Sequence, residues 1–242
     1  MTSSPEEDSF PAPIARFHGD PNRNPEIVQD ARSDVLRSIT KPYVALALWH
    51  RRLPGTVKNW LELLSPDQLP CGRVVARQEE VTGALEEILH NSGTPRGKET
   101  SLFMWDVVRI STLFAAIAQI DLVDIGVEPV QDNSCWKFHR DHVRLRALTT
   151  YCGPGTQFVD PQDADRALRD QKSFCGTVHQ IPRHSVAIFK GAKDALGRGV
   201  VHRSPPIAGT DQTRLVVTLN LPSETSPAIP YLGSNRNEGA SP

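Results

Sequence analysis

The sequence predicts an α+β protein in which a mainly helical N-terminal part packs on a β-rich core. Three observations carry that prediction. Apolar residues recur at helical spacing from Glu79 to His90 and from Leu102 to Ile120. From Ser134 onward apolar and polar residues alternate instead, the pattern of strands with one buried face. The short runs after Ser134 number about six or seven, close to the count of a jelly-roll.

The elements follow in order. Residues 1–25 carry Pro5, Pro11, Pro13, Pro21 and Pro25 among Ser, Asp and Glu, and read as a flexible tail. Residues 26–133 form the mainly helical part. Ile27, Ala31, Val35 and Ile39 stand at helical spacing, so residues 26–39 are expected to form a helix. Tyr43 to Trp49 is a short apolar run after Pro42 and reads as a strand added to the main sheet. Val57 to Leu64 reads as a short helix with Trp60, Leu61 and Leu64 inward. Gly72 to Ala76 fits a further strand. Glu79 to His90 reads as a helix with Val81, Leu85, Ile88 and Leu89 on its buried face. Leu102 to Ile120 is apolar and long enough to suggest a membrane span, but Asp106 and Arg109 interrupt it and few basic residues flank it. A buried helix bracing the β-core is the better reading. Gly126 and Pro129 are taken to end the helical half.

Residues 134–222 supply the core. Trp136 and Phe138 alternate with Lys137 and His139, and Arg144, Arg146 and Leu148 with Leu145, Ala147 and Thr149. Gly153-Pro-Gly155 is a turn. Asp163 to Lys172 reads as a polar helix or lid-like insert. Strands are expected over Thr177–Ile181, Ser185–Phe189, Gly199–His202 and Arg214–Leu221. Residues 223–242 return to Ser, Pro, Asn and Gly and read as a second tail.

Two stretches of this core carry the chemistry. The first contains His139-x-Asp141, whose side chains share one side of an extended strand. The second contains His202, followed by the β-run that starts at Arg214. Two imidazoles and one carboxylate on one face of a metal form the ligand set of non-haem Fe(II) oxygenases, which leaves the other face open. A hairpin after His202 is expected to set Arg214 beside it on the neighbouring strand. There a guanidinium can grip a carboxylate, such as the far end of 2-oxoglutarate, through two parallel hydrogen bonds.

The order His139-x-Asp141, His202, Arg214-x-x-x-Thr218 resembles the Fe(II)/2-oxoglutarate-dependent oxygenases. Arg144-x-x-x-x-Thr149-x-Tyr151 and Gly153-Pro-Gly-Thr156-x-Phe158 extend the likeness toward prolyl-hydroxylase-like members. That resemblance implies a double-stranded β-helix (jelly-roll, cupin-like) and an oxidoreductase with Fe(II) and 2-oxoglutarate as cofactors. It also implies His139, Asp141 and His202 as metal ligands, and Arg214, assisted by Thr218, on the cosubstrate. More narrowly, the chain is similar to the bacterial DUF1826 family, densest over residues 135–221, and that family name supplies no activity.

Other candidates carry two readings. Tyr151 can hydrogen-bond the cosubstrate or simply fill the core. Arg144 can hold a substrate anion or pair with a carboxylate. Lys190 reads as a solvated lysine at a strand end rather than a cosubstrate ligand. His142 is an extra candidate ligand, and His179 and His184 are expected at the surface. Cys135, Cys152 and Cys175 lie near the motif, but no two stand at zinc-finger spacing, so free cysteines are expected. The alternative function is a zinc-binding accessory or zinc-homeostasis protein using the same jelly-roll site, and a third is a metal-free cupin-like binding module.

Composition excludes little else. With Lys+Arg 27 against Asp+Glu 28, the net charge of −1 supplies no field for nucleic acid or membrane. The substrate is therefore expected to be a small molecule or a protein. The lack of a basic, apolar leader and of a disulfide framework points to the cytoplasm.

Overall fold

The computed structural model describes residues 26–193, 199–228, 230 and 231. The reading of residues 1–25 as a tail lies outside these, as does most of the second tail. Ten strands and four α-helices are described: β1 (Glu26–Asp30), β2 (Val44–Trp49), α1 (Gly55–Leu63), β3 (Gly72–Arg77), α2 (Val81–Asn91), α3 (Lys98–Ala118), β4 (Leu122–Val130), β5 (Leu145–Cys152), β6 (Gln157–Phe158), α4 (Ala164–Asp170), β7 (His179–Gln180), β8 (Val186–Lys190), β9 (His202–Arg203) and β10 (Arg214–Asn220).

A main sheet of seven strands runs β1-β2-β8-β5-β10-β4-β3, and a smaller sheet runs β7-β6-β9. An isolated antiparallel bridge between His139 and His202 adds one more extended segment to the smaller sheet. From β4 onward the chain passes from the main sheet to His139, back to β5, across to β6 and β7, back to β8, across to β9, and back to β10. Strands β1 to β4, from before residue 134, hydrogen-bond into the same sheet as β5, β8 and β10.

Strand parity divides the interior. On β10, Leu215, Val217 and Leu219 join the large core that α1, α2 and α3 cover. The alternate residues Arg214, Val216, Thr218 and Asn220 take the opposite face, toward the smaller sheet. A second core fills the space between the sheets, where Leu148 and Phe189 meet Phe158. A third seats α4 on the outer side of the smaller sheet, with Ala164 and Ala167 against Phe138, Val159 and Val201.

Helix α3 buries Phe103, Val107, Ile110 and Phe114 on one face and ends at Gln119 in the left-handed conformation. It is long and apolar enough to cross a membrane by length and composition, but half of its most apolar window is buried in the protein. Asp106, the charge that interrupts it, is itself buried and meets Arg51 at 2.5 Å.

Several expectations change. The helix expected over 26–39 is strand β1, which pairs in parallel with β2, followed by a 3₁₀ helix over Ser33–Thr40. Leu36 and Ile39 are buried three residues apart, the repeat of a 3₁₀ turn. The helix stops where Lys41 precedes Pro42, a position that resists helical backbone. Gly126 and Pro129 do not end a helix but lie inside β4. Pro129 pairs with Leu215 of β10, beyond Val127, where the pairing with β3 ends. A missing N–H is tolerated at such an edge. Gly126 lies opposite Thr218, whose Oγ1 would be 2.8 Å from any Cβ added there. In the second tail, Tyr231 packs on the main core and its N–H bonds Val75 O at 2.7 Å.

Candidate metal site

His139 and His202 face each other on opposed backbone. His139 N–H donates to His202 O and His202 N–H to His139 O, each at 3.0 Å. Both side chains turn inward between the sheets, and their rings lie 4.5 Å apart between centroids. Asp141 reaches the same point. His139 Nε2 is 3.5 Å from Asp141 Oδ1, and His202 Nε2 is 3.4 Å from Asp141 Oδ2. The three ligand atoms lie within 4.8 Å of one another, and among the described residues no other group of His, Cys, Asp and Glu converges in this way.

Each imidazole is oriented by the carbonyl two residues before it: His139 Nδ1 is 2.8 Å from Lys137 O and His202 Nδ1 is 3.2 Å from Val200 O. A carbonyl only accepts, so Nδ1 carries the proton and Nε2 presents its lone pair inward. Asp141 Oδ2 is buried without an aligned hydrogen-bond donor. Arg146 Nη1 stands 2.8 Å from it, a charge contact that lacks hydrogen-bond geometry, while Arg146 Nε bonds Asn220 Oδ1 at 2.7 Å.

Electrostatics follow from this crowding. Only a protonated His139 can donate from Nε2 to Asp141, and that hydrogen bond raises the His139 pKa above its ordinary value, against the opposing effect of burial. Burial works to raise the Asp141 pKa, but the His139 hydrogen bond and the charges of His202 and Arg146 together hold it lower. Burial pushes His202 down to about 4, against the pull of Asp141. Two inward lone pairs face a carboxylate whose charge contact with Arg146 lacks hydrogen-bond geometry, which leaves all three groups able to accept a further cation. The residues present therefore fit a divalent metal held by His139 Nε2, His202 Nε2 and the Asp141 carboxylate.

The family model for DUF1826, a protein of unknown function, matches residues 30–220. The chain belongs to the DUF1826 family. No curated protein matches it. Among solved structures, the family member is similar to dioxygenase for auxin oxidation 1 from Arabidopsis thaliana with 2-oxoglutarate. Identity is 12%, coverage 84% of this chain and 95% of that one, and the TM-score 0.48. It is also similar to the dioxygenase for auxin oxidation in rice, at 12% identity, 76% and 77% coverage and TM-score 0.45. A Pseudomonas putida prolyl-4-hydroxylase matches at 11% identity, 71% and 95% coverage and TM-score 0.34.

The remaining candidates divide. Arg214 is not on a strand beside His202, because β9 and β10 belong to different sheets. It reaches the smaller sheet through its side chain: Nε bonds Pro154 O at 2.8 Å, Nη1 bonds Ser204 Oγ at 2.7 Å and Nη2 bonds Thr156 Oγ1 at 3.1 Å. Arg214 is 1% exposed, and burial lowers its pKa to about 10. Among the described residues no carboxylate pairs with it. Ser204 lies two residues along from His202, about 7 Å of extended chain. Thr218 shares the Arg214 face, opposite Gly126.

Tyr151 points away from the triad. Its hydroxyl donates to Asp106 Oδ2 at 2.6 Å in the helix-side core, beside the Phe103 ring. Arg144 reaches Ala118 O at 3.5 Å, at the end of α3. Lys190 is not solvated: it is 1% exposed, and Nζ donates to Lys41 O and Pro42 O. His184 is buried rather than at the surface, whereas His142 is exposed and outside the triad. All four cysteines are free. The residue that sequence reasoning missed is Arg146. Its signal was present in its shared parity with Leu148, but the motif likeness drew attention to Arg144.

Proposed function

We propose that this protein is a non-haem Fe(II)- and 2-oxoglutarate-dependent oxygenase, a hydroxylase built on a double-stranded β-helix and acting on a small-molecule or protein substrate. The repeated crossing between sheets from β4 to β10, with only β6 and β7 following each other in one sheet, supports the jelly-roll reading. One observation carries the function: two imidazoles with fixed tautomers and one under-bonded carboxylate converge on a single point between the sheets.

His139, Asp141 and His202 would hold the metal, which with 2-oxoglutarate supplies the oxygen activation needed for C–H hydroxylation. The chain's own residues bind, orient and exclude water. Arg214 is a buried cation with neutral acceptors and no carboxylate among the described residues, the environment in which a ligand carboxylate is welcome. Its η nitrogens each keep a second N–H beyond the bonds to Ser204 and Thr156. Thr150 Oγ1 is buried without a hydrogen-bond partner and adds a polar group that a cosubstrate oxygen can satisfy. Phe158, Phe189 and Leu148 supply an apolar wall, and the Phe189 ring lies 4.6 Å from that of His202.

The test is anaerobic titration of metal-free protein with Fe(II) and then 2-oxoglutarate, followed by the visible charge-transfer band. A saturable band is expected, abolished in His202→Ala and weakened in Arg214→Met. A band of full strength in His202→Ala would sink the triad assignment. The second reading, a zinc-binding accessory protein, is favoured by the way Arg214 already finds an acceptor on each of its nitrogens. Stoichiometric zinc with no band would establish it.

A further inference from the structure

On the helix side of the main sheet, away from the triad, a cleft of about 1010 Å³ opens between the end of β2, helices α1 and α3, and the turn before β8. Its lining holds five cationic side chains, Arg51, Arg52, Lys58, Arg109 and Arg183, and a single acid, Asp106. That acid is already committed, to Arg51 at 2.5 Å and to the Tyr151 hydroxyl at 2.6 Å. Arg183 has a partner at the rim, Glu62, at 3.1 Å. Among the described residues Arg52, Lys58 and Arg109 make no ion pair. The cleft is therefore strongly positive in a chain whose net charge is −1.

The floor adds a second sign of an absent acceptor. The Arg51 side chain is 7% exposed, and its Nε and Nη2 are buried with no hydrogen-bond partner. Those two nitrogens form the side edge of the guanidinium, the edge that takes two oxygens of one oxyanion in parallel. Leaving two charged donors unmatched in a buried place is costly. Aromatic surface completes the site. The Arg109 guanidinium lies 4.9 Å from the Trp49 ring and 5.7 Å from the Trp105 ring, and Trp105 is 61% exposed.

We propose that this cleft binds a phosphate-bearing small molecule. Arg52, Lys58 and Arg109 meet the phosphate, and the buried Arg51 guanidinium beneath them adds its charge. Several cations gathered around one committed acid suit a group of multiple charge better than a single carboxylate. The ligand is distinct from anything held at the triad, because the main sheet separates the two places. Leu148 on β5 faces the triad layer, while Tyr151, three residues on, faces Asp106 and the helices. The site therefore stands or falls independently of the oxygenase reading.

The experiment is calorimetric titration of metal-free full-length protein with pyrophosphate, with citrate and sulfate as controls at constant ionic strength. Pyrophosphate is expected to bind saturably with one-to-one stoichiometry. The affinity should fall at least tenfold in Lys58→Gln and in Arg109→Gln, whose partly exposed positions leave the fold intact, as an unchanged unfolding midpoint would verify. Pyrophosphate heats no larger than those of sulfate, or affinity unchanged in both variants, would overturn the proposal. Citrate binding as tightly as pyrophosphate would overturn the phosphate assignment in favour of a polycarboxylate.

Discussion

A tyrosine in a β-strand has two faces to choose from, and its polar tip reports the choice. Tyr151 takes the helix side, fully buried, with its hydroxyl on Asp106 and burial raising its pKa well above the ordinary value. Tyr151→Phe should leave the Asp106 carboxylate short of one donor and destabilise the protein by about 1–3 kcal/mol, measured by urea unfolding. The Fe(II)/2-oxoglutarate band should be unchanged, whereas a cosubstrate role would weaken it. The convergence of His139, Asp141 and His202 was legible in part, because His-x-Asp spacing needs only the two-residue period of a strand. Arg146 was harder to single out. Its importance depends on Asn220 and Asp141 arriving from two other segments, and no local pattern encodes that meeting. The same holds for His184, whose backbone N–H bonds Thr150 O and whose ring reaches Tyr151 O.

Single elements tell a similar story through their pairing. Helices α2 and α3 were legible because each buries one stripe over several turns, a signal that survives any tertiary arrangement. β4 was missed because Gly126 and Pro129 are the residues that usually punctuate chains. Only the neighbours explain them: β3 has ended before Pro129, and Thr218 fills the space beside Gly126. Gly126→Ala should therefore force the Thr218 hydroxyl aside and cost about 1–3 kcal/mol. Adding Thr218→Ala should recover most of that loss. Equal unfolding midpoints for Gly126→Ala and the parent would show that the two strands do not press together as described.

For the whole molecule, acid tolerance follows from what is buried neutral. Burial lowers the His184 pKa from 6.5 to about 4, against the hydrogen bond to Tyr151 O, with Arg183, Lys58 and Arg51 adding to the shift. The unfolded chain then binds this proton more readily than the folded one. Stability contributed by a neutral His184 is present above pH 6.5 and drains away as pH falls toward about 4, by at most about 3 kcal/mol. Thermal midpoints across that window should fall more steeply for the parent than for His184→Gln; identical slopes would remove His184 from the account. The α+β class was legible at this scale, since it rests on the change of periodicity along the chain. The shared sheet was not, because β1 to β4 join it through hydrogen bonds that leave no trace in composition.

The opposed backbone of His139 and His202 carries a consequence for how this chain tolerates breakage. Two reciprocal hydrogen bonds, rather than the covalent path between them, set the spacing of the imidazoles. The intervening polypeptide can therefore be severed at an exposed point, such as beside Cys175, while the halves remain docked through α4 and the sheets. A protease-nicked or circularly permuted protein opened there should still bind metal stoichiometrically. The centre behaves as a joint between two pieces, and the exposed segment around Cys175 is where extra residues should be accepted without disturbing it.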